Sequence, residues 1–214
     1  MAQSLDPAVS SSPALSSHDR ILSAGKRLFA RNGYENTSTV AIAREAGTSE
    51  SQLMKHFGSK QGLLSSILDR GWSRVVERAH ALDGSTSATT KLLNALESLV
   101  VVLQNDPELQ ELMTLEGCRV RKDSRDVLIS RGHKQFSEIV ETHLVELRRA
   151  GEIAAAVNLD AFRSALVGMA EGLLRDQVVA NRSDFRAEYS FDDIRKLLEM
   201  VLPAVRPDLR EAVS

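Results

Sequence analysis

The chain has 214 residues, 43% hydrophobic and 26% charged, with 4% aromatic and a single cysteine, Cys118. That balance excludes a disordered chain and an intrachain disulfide framework, and an apolar content drawn from Leu, Val, Ala and Ile suits packed helices better than a β-sandwich. The net charge of −2 hides an asymmetry: residues 18–80 carry ten Lys/Arg against six Asp/Glu, residues 81–214 seventeen against twenty-two. Any attraction for phosphate is thereby confined to the N-terminal end.

Residues 1–14, rich in Ser, Ala and Pro without periodicity, are expected to form a flexible tail. Beyond them the apolar spacing is helical almost throughout. The first helix is predicted over about 17–32, with Ile21, Leu28 and Phe29 inward and Asn32-Gly33 as its stop. A second follows over about 38–46, opened by Thr37 or Ser38 and closed by Gly47, a third over about 50–57, and a fourth over about 60–82. Longer helices are predicted over about 87–105, 107–121, 124–150, 158–180 and 190–205. Asn105-Asp106-Pro107 separates the first two of these, and Gly151 ends the third after Arg148 and Arg149. No segment alternates as a strand would, and no internal repeat is visible. The expected fold is all-α.

Residues 38–57 have the makings of a helix-turn-helix. Ala43 is small where two helices must approach, Gly47 supplies the left-handed backbone of the turn, and Ser49 with Gln52 has the spacing of a capping box. Ile42, Ala46, Leu53 and Phe57 point inward. Glu50, Ser51, Gln52, Met54, Lys55 and His56 remain as a mainly polar face of the third helix, a size and chemistry that a DNA major groove admits. Gln can pair bidentately with adenine, Lys can reach guanine or phosphate, and Glu50 can accept from a cytosine amino group. Lys60, just after the N-cap candidate Ser59, is placed to grip a phosphate together with the free N–H groups of the fourth helix.

The runs Ile21-Leu22-x-Ala24-x-x-x-Leu28-Phe29-x-x-x-Gly33-Tyr34-x-x-Thr37-Ser38, Ile42-Ala43-x-x-Ala46-Gly47-x-Ser49 and Leu53-x-x-x-Phe57-x-Ser59-Lys60-x-x-Leu63-Leu64 resemble the N-terminal domain of TetR-family (TetR/AcrR) transcriptional regulators. The resemblance covers roughly residues 15–75. It implies a three-helix DNA-binding domain over 15–75, a helical ligand-binding and dimerisation domain over 76–214, and a homodimeric repressor released from a near-palindromic operator by a small molecule. Matched position by position, it makes Thr39, Glu50, Ser51, Gln52, Met54, Lys55, His56 and Lys60 the DNA-facing set. Two positions depart from the pattern. Met54 stands where a Tyr hydroxyl is common, and Val40 where a basic or polar residue is common, so a contact there would be apolar, to a thymine methyl, or absent.

In the C-terminal part, Phe162, Leu166, Met169 and Leu173 recur at helical spacing, as do Ile194, Leu198, Val201 and Val205. Spacing alone favours an intrachain core for both stripes; the resemblance implies the dimer interface. Candidate lining of a ligand pocket is Trp72, Leu103, Met113, Cys118, Phe136, Val140 and Phe162, with Glu116 or His133 as polar fixers of an effector of unknown identity. No cofactor or metal is expected. The five histidines are scattered, and no Gly-rich phosphate loop, His-Glu-x-x-His, Cys-x-x-Cys or Gly-x-Ser-x-Gly occurs, which argues against an enzyme. The competing reading is a helical small-molecule-binding or protein-interaction bundle without DNA-binding activity. With no apolar run of membrane-spanning length and no signal-peptide layout, the expected setting is the cytoplasm.

Overall fold

The computed structural model describes residues 15–84, 87–115 and 130–206. The tail expected over 1–14, the junction of the helices predicted over 107–121 and 124–150, and the candidates Glu116 and Cys118 lie outside them. The described residues form nine α-helices and no strand: α1 (Ser17–Asn32), α2 (Thr39–Glu45), α3 (Glu50–Phe57), α4 (Lys60–Ala81), α5 (Ala88–Gln104), α6 (Pro107–Leu115), α7 (Arg131–Arg149), α8 (Leu159–Ala180) and α9 (Phe191–Val201), then a short 3-10 turn (Pro203–Val205).

The starts of these helices are written locally. Ser16, Ser38, Ser49, Ser59, Ser87, Ser130, Asn158 and Ser190 each stand one residue before a helix and accept a hydrogen bond from the backbone N–H three residues on. Such a bond satisfies a donor that the helix leaves unpaired, worth about 1 kcal/mol per cap. α6 begins differently. Pro107 needs no N–H partner in a first turn, and the Asp106 carboxylate caps the Leu109 N–H at 3.2 Å.

The last helix stops earlier than its apolar spacing predicts. Pro203 has no N–H to donate and its ring blocks continuation, so the chain tightens into the 3-10 turn instead of running on to 205.

One continuous apolar core joins the helices, and α4 is common to its two ends. Near its start, Leu63 and Ile67 pack on α1, where the missing side chain of Gly25 makes room for them. Further on, Gly71 admits Leu109 and Met113 of α6, and Trp72 lies against Gly132 of α7. The boundary expected between residues 75 and 76 therefore falls inside an unbroken helix. A Cβ added at Gly132 would stand 2.3 Å from the Trp72 Cβ, with the Trp72 backbone close behind. Gly132→Ala is expected to lower stability by about 1–3 kcal/mol, the range for overpacking, read as a lower thermal midpoint. An unchanged midpoint would show that α4 and α7 can separate without cost. No described helix is long and apolar enough to cross a membrane.

Candidate nucleic-acid interface and effector cavity

α2 and α3 are held by their apolar sides. Ile42, Ala43, Ala46 and Leu53 are buried with Ile21, Ala24 and Phe29 of α1. Between the helices Gly47 has φ +61°, a left-handed conformation that a side chain would strain, while Thr48 N–H donates to the Ala43 carbonyl at 2.9 Å. Arg20 of α1 donates through Nε to the Ala46 carbonyl at 3.0 Å and fixes the end of α2. The Ser49 cap is half of the expected box. Gln52 N–H reaches Ser49 Oγ at 3.3 Å, but among the described residues the reciprocal side-chain bond closes only at Ser190 and Asp193, and the Gln52 side chain is exposed.

The outward face of α3 carries Glu50, Ser51, Gln52, Met54, Lys55 and His56, all exposed. They are not equally free. Thr39 Oγ1 donates to Glu50 Oε1, tying the first turns of α2 and α3 together. His56 Nε2 lies 3.0 Å from Ser17 Oγ and its ring meets His18 edge-on, so it sits where α3 meets the start of α1. Val40 and Met54 are 59% and 42% exposed, two large apolar side chains on the rim of this polar face.

Lys60 departs from its expected role. Its ammonium donates to the carbonyls of Tyr34 at 2.9 Å, Thr37 at 3.0 Å and Glu35 at 3.5 Å, and stands 4.3 Å from the centre of the Tyr34 ring. An ammonium has three protons, and here all three have carbonyl partners. Lys60 is a latch between α4 and the α1–α2 loop, not a free cation awaiting a phosphate.

In the body, a cavity of about 130 Å³ lies among α4, α5, α6 and α8, lined by Trp72, Leu99, Leu103, Met113, Thr114, Glu171 and Arg175. Three expected residues, Trp72, Leu103 and Met113, meet there. Phe136 stands behind Trp72 with ring centres 5.5 Å apart, while Val140 and Phe162 pack in the core without lining the cavity. His133 meets the Trp72 ring edge-on at 5.0 Å and lines an adjoining cleft of about 230 Å³ with Ser137, Arg163, Ser164, Val167, Gly168 and Glu171.

Glu171 is thus the wall between cavity and cleft, 3.9 Å from His133 Nε2. Burial raises its carboxyl pKa, and Arg175 offsets part of that rise. Burial lowers the His133 pKa, and the charge of Arg163 lowers it further. Both groups are pushed toward their neutral forms. Sequence reasoning missed Glu171 and Arg175. The available signal was a carboxylate interrupting the apolar run Val167, Ala170, Leu174 and Val178 on α8.

The stripes assigned to a dimer interface are corrected in part. Phe162, Leu166, Ile194 and Leu198 are buried inside this chain, so their apolar area is already used. Met169, Leu173, Val201 and Val205 are half-buried. What α8 and α9 turn outward is a neighbouring face: Ala165 and Gly168 on α8, and Leu197 and Met200 on α9, the last two 42% and 70% exposed.

The family model described as bacterial regulatory proteins, tetR family, matches residues 21–67, which span α1 to the middle of α4. The HTH-type transcriptional regulator UidR of Escherichia coli is 24% identical over 186 residues, covering 86% of this chain and 92% of that protein. The transcriptional regulator FadR of Bacillus subtilis, solved in complex with stearoyl-CoA, superposes with a TM-score of 0.76 at 20% identity, over 86% of this chain and 97% of that one. AibR, solved with isovaleryl coenzyme A and operator DNA, gives a TM-score of 0.68 at 17% identity, over 88% and 99%.

Proposed function

We propose, from the premise that this chain belongs to the TetR family of DNA-binding bacterial regulatory proteins, that it is a homodimeric repressor whose grip on a near-palindromic operator is broken by a small molecule. The observation that carries the reading is the α3 face. Its helix is locked from behind by Ile42, Ala46 and Leu53, yet it presents Ser51, Gln52 and Lys55 to solvent. A rigid helix with a polar outer face is what major-groove recognition requires.

In this reading Gln52 and Lys55 contact base edges, and Thr39 and Ser51 lie toward the sugar–phosphate backbone. Val40 and Met54 provide apolar surface for thymine methyl groups. Glu50, held by Thr39, orders the face more than it reads it. The exposed surfaces of α8 and α9 pair with those of a second copy in the cell cytoplasm, setting two α3 helices one DNA turn, or a multiple of it, apart. The effector occupies the cavity beside Trp72, its apolar body among Leu99, Leu103 and Met113 and its polar end toward Glu171 and Arg175. That two structural neighbours were solved with acyl-CoA ligands supports a small-molecule effector.

The test is selection of binding sequences from random duplex DNA, followed by footprinting and salt titration. A symmetric footprint filled by two chains is expected, with affinity falling steeply as salt rises. Lys55→Gln should relax preference at one base position in each half-site, and a sequence-independent loss with a salt slope lower by about 1 would instead place Lys55 on phosphate. Gln52→Ala should relax preference at one base pair in each half-site and leave the slope unchanged. Recovery of no sequence-specific, salt-dependent binding would overturn the reading in favour of a ligand-binding bundle. Saturation by a single chain would overturn the dimer.

A further inference from the structure

Asp106 holds together three helices that belong to different functional ends of the molecule. Lys26 of α1 donates to its Oδ1 at 2.6 Å, and Arg74 of α4 donates to its Oδ2 at 2.9 Å. The same Oδ1 accepts the Leu109 N–H of α6 at 3.2 Å. Lys26 also lies 3.4 Å from Glu108 in the first turn of α6. Burial pushes the Asp106 carboxyl pKa up, but the hydrogen bond and charge of Lys26, the Leu109 N–H and Arg74 outweigh it and hold the pKa below the usual range. The carboxylate is therefore charged and 14% exposed, a setting in which ion pairs are screened less than at an open surface.

The other end of α6 reaches the effector cavity. Met113 and Thr114 line it, only two turns beyond the Asp106 cap. At the middle of α6, Glu111 pairs with Arg182, which also donates to the Ala30 carbonyl of α1 at 3.1 Å. A short bar thus has one end in the cavity wall and the other clasped to the helix that carries α2 and α3. Beside the clasp a hollow of about 190 Å³, lined by Ser23, Lys26, Arg70, Arg74 and Asp106 among others, leaves room for side chains to rearrange.

We propose that Asp106 is a positioning residue whose paired contacts to Lys26 and Arg74 transmit the state of the effector cavity to the DNA-binding helices. The inference rests on the reading that this protein binds operator DNA. It adds that coupling runs through a charged joint at the start of α6. Apolar packing of Leu109 against Gly71 keeps the helices in contact, and the ion pairs decide how that contact responds.

Linkage makes the test possible without the natural effector. If the cavity biases DNA binding, DNA binding must bias the cavity by the same factor. Trp72, the single tryptophan, forms part of the cavity wall, so its emission reports the cavity directly. Full-length wild type, Lys26→Gln, Arg74→Gln and Lys26→Arg are titrated with a duplex operator selected as above, while anisotropy follows binding and Trp72 emission follows the wall. These variants keep Asp106 and its cap on α6, so loss of the helix does not confound them. In the wild type, saturation with operator is expected to change Trp72 emission. Lys26→Gln and Arg74→Gln should bind operator with the change at least halved, Lys26→Arg should restore it, and coupling should weaken by roughly two- to thirty-fold. Full emission changes in both glutamine variants would overturn the proposal, as would a wild type that binds operator with no change at Trp72. A wild type that binds no specific DNA would remove the functional reading and the proposal together, an outcome distinct from either of these.

Discussion

Gly62→Ala is expected to weaken specific DNA binding at least about tenfold while leaving α5 to α9 folded. Gly62 lies in the first turn of α4, its N–H donating to Ser59 Oγ at 2.9 Å. A Cβ at this position would stand 2.1 Å from the Phe57 carbonyl oxygen and 3.2 Å from its carbon. These are backbone atoms and cannot swing aside. Only Gly58 and Ser59 separate α3 from α4, and Gly58 already adopts a left-handed φ of 72° to make the corner. The added methyl must therefore push away the end of α3, displacing Phe57 and with it the outward direction of Lys55 and His56. Overpacking of this kind costs about 1–3 kcal/mol in stability, and a displaced recognition helix should lose at least about tenfold in affinity, or 1.4 kcal/mol. Thermal melting and anisotropy with operator DNA provide the measurements. Gly84→Ala, where an added Cβ meets nothing within 4 Å, is the matched control and should change neither. A Gly62→Ala protein that binds like wild type would mean that the corner yields without moving α3.

Lys60→Met should cost the free protein about 2 kcal/mol of stability, because hydrogen bonds from a charged donor contribute roughly 1.5–3 kcal/mol each and several here share one ammonium. Methionine keeps most of the apolar stem while removing the charge. The carbonyls of Tyr34, Glu35 and Thr37 would lose their cationic donor, and the loop ahead of α2 would loosen. DNA affinity should fall with it, but indirectly. The salt slope separates the two roles: a lost phosphate contact lowers it by about 1, whereas a loosened loop leaves it unchanged. We expect an unchanged slope and a lower thermal midpoint in the absence of DNA. A reduced slope with unaltered melting would return Lys60 to phosphate binding.

Lys60 also marks where the sequence stopped being legible. Its place after a serine cap is a local fact, and from local facts a cation at a helix start resembles an anion-binding device. Its partners lie 23 to 26 residues earlier, and nothing in the spacing reveals that distant carbonyls will meet it. The same limit applies to α8. Phe162, Leu166, Met169 and Leu173 recur at helical spacing, but two adjacent faces of one helix can both be apolar. The packing of α5, α6, α7 and α9 on α8 decides that Leu166 turns inward while Ala165 and Gly168 turn out. Asp106 was visible merely as part of a stop signal before Pro107. By contrast, the helix-turn-helix was readable because its determinants are short-range: a left-handed glycine at 47, a serine cap at 49, and apolar residues at 42, 46 and 53. Helix boundaries follow from the same kind of signal, with two overshoots among the described residues: apolar spacing runs past Val201, where Pro203 ends α9, and it runs ahead of Ser130, whose extended backbone and side-chain cap start α7 at Arg131 instead of near 124.

The serine caps described above bear on how this molecule can change over time. Because each described helix start is set by a hydroxyl, amide or carboxylate within three residues of the bond it makes, the boundaries do not depend on which apolar residues fill the interior. Core positions can drift among Leu, Ile, Val and Met, altering the shape of the cavity beside Trp72, without resetting where any helix begins. Under the proposed function, selection for a new effector would act on the interior while the frame that aims α3 is inherited intact.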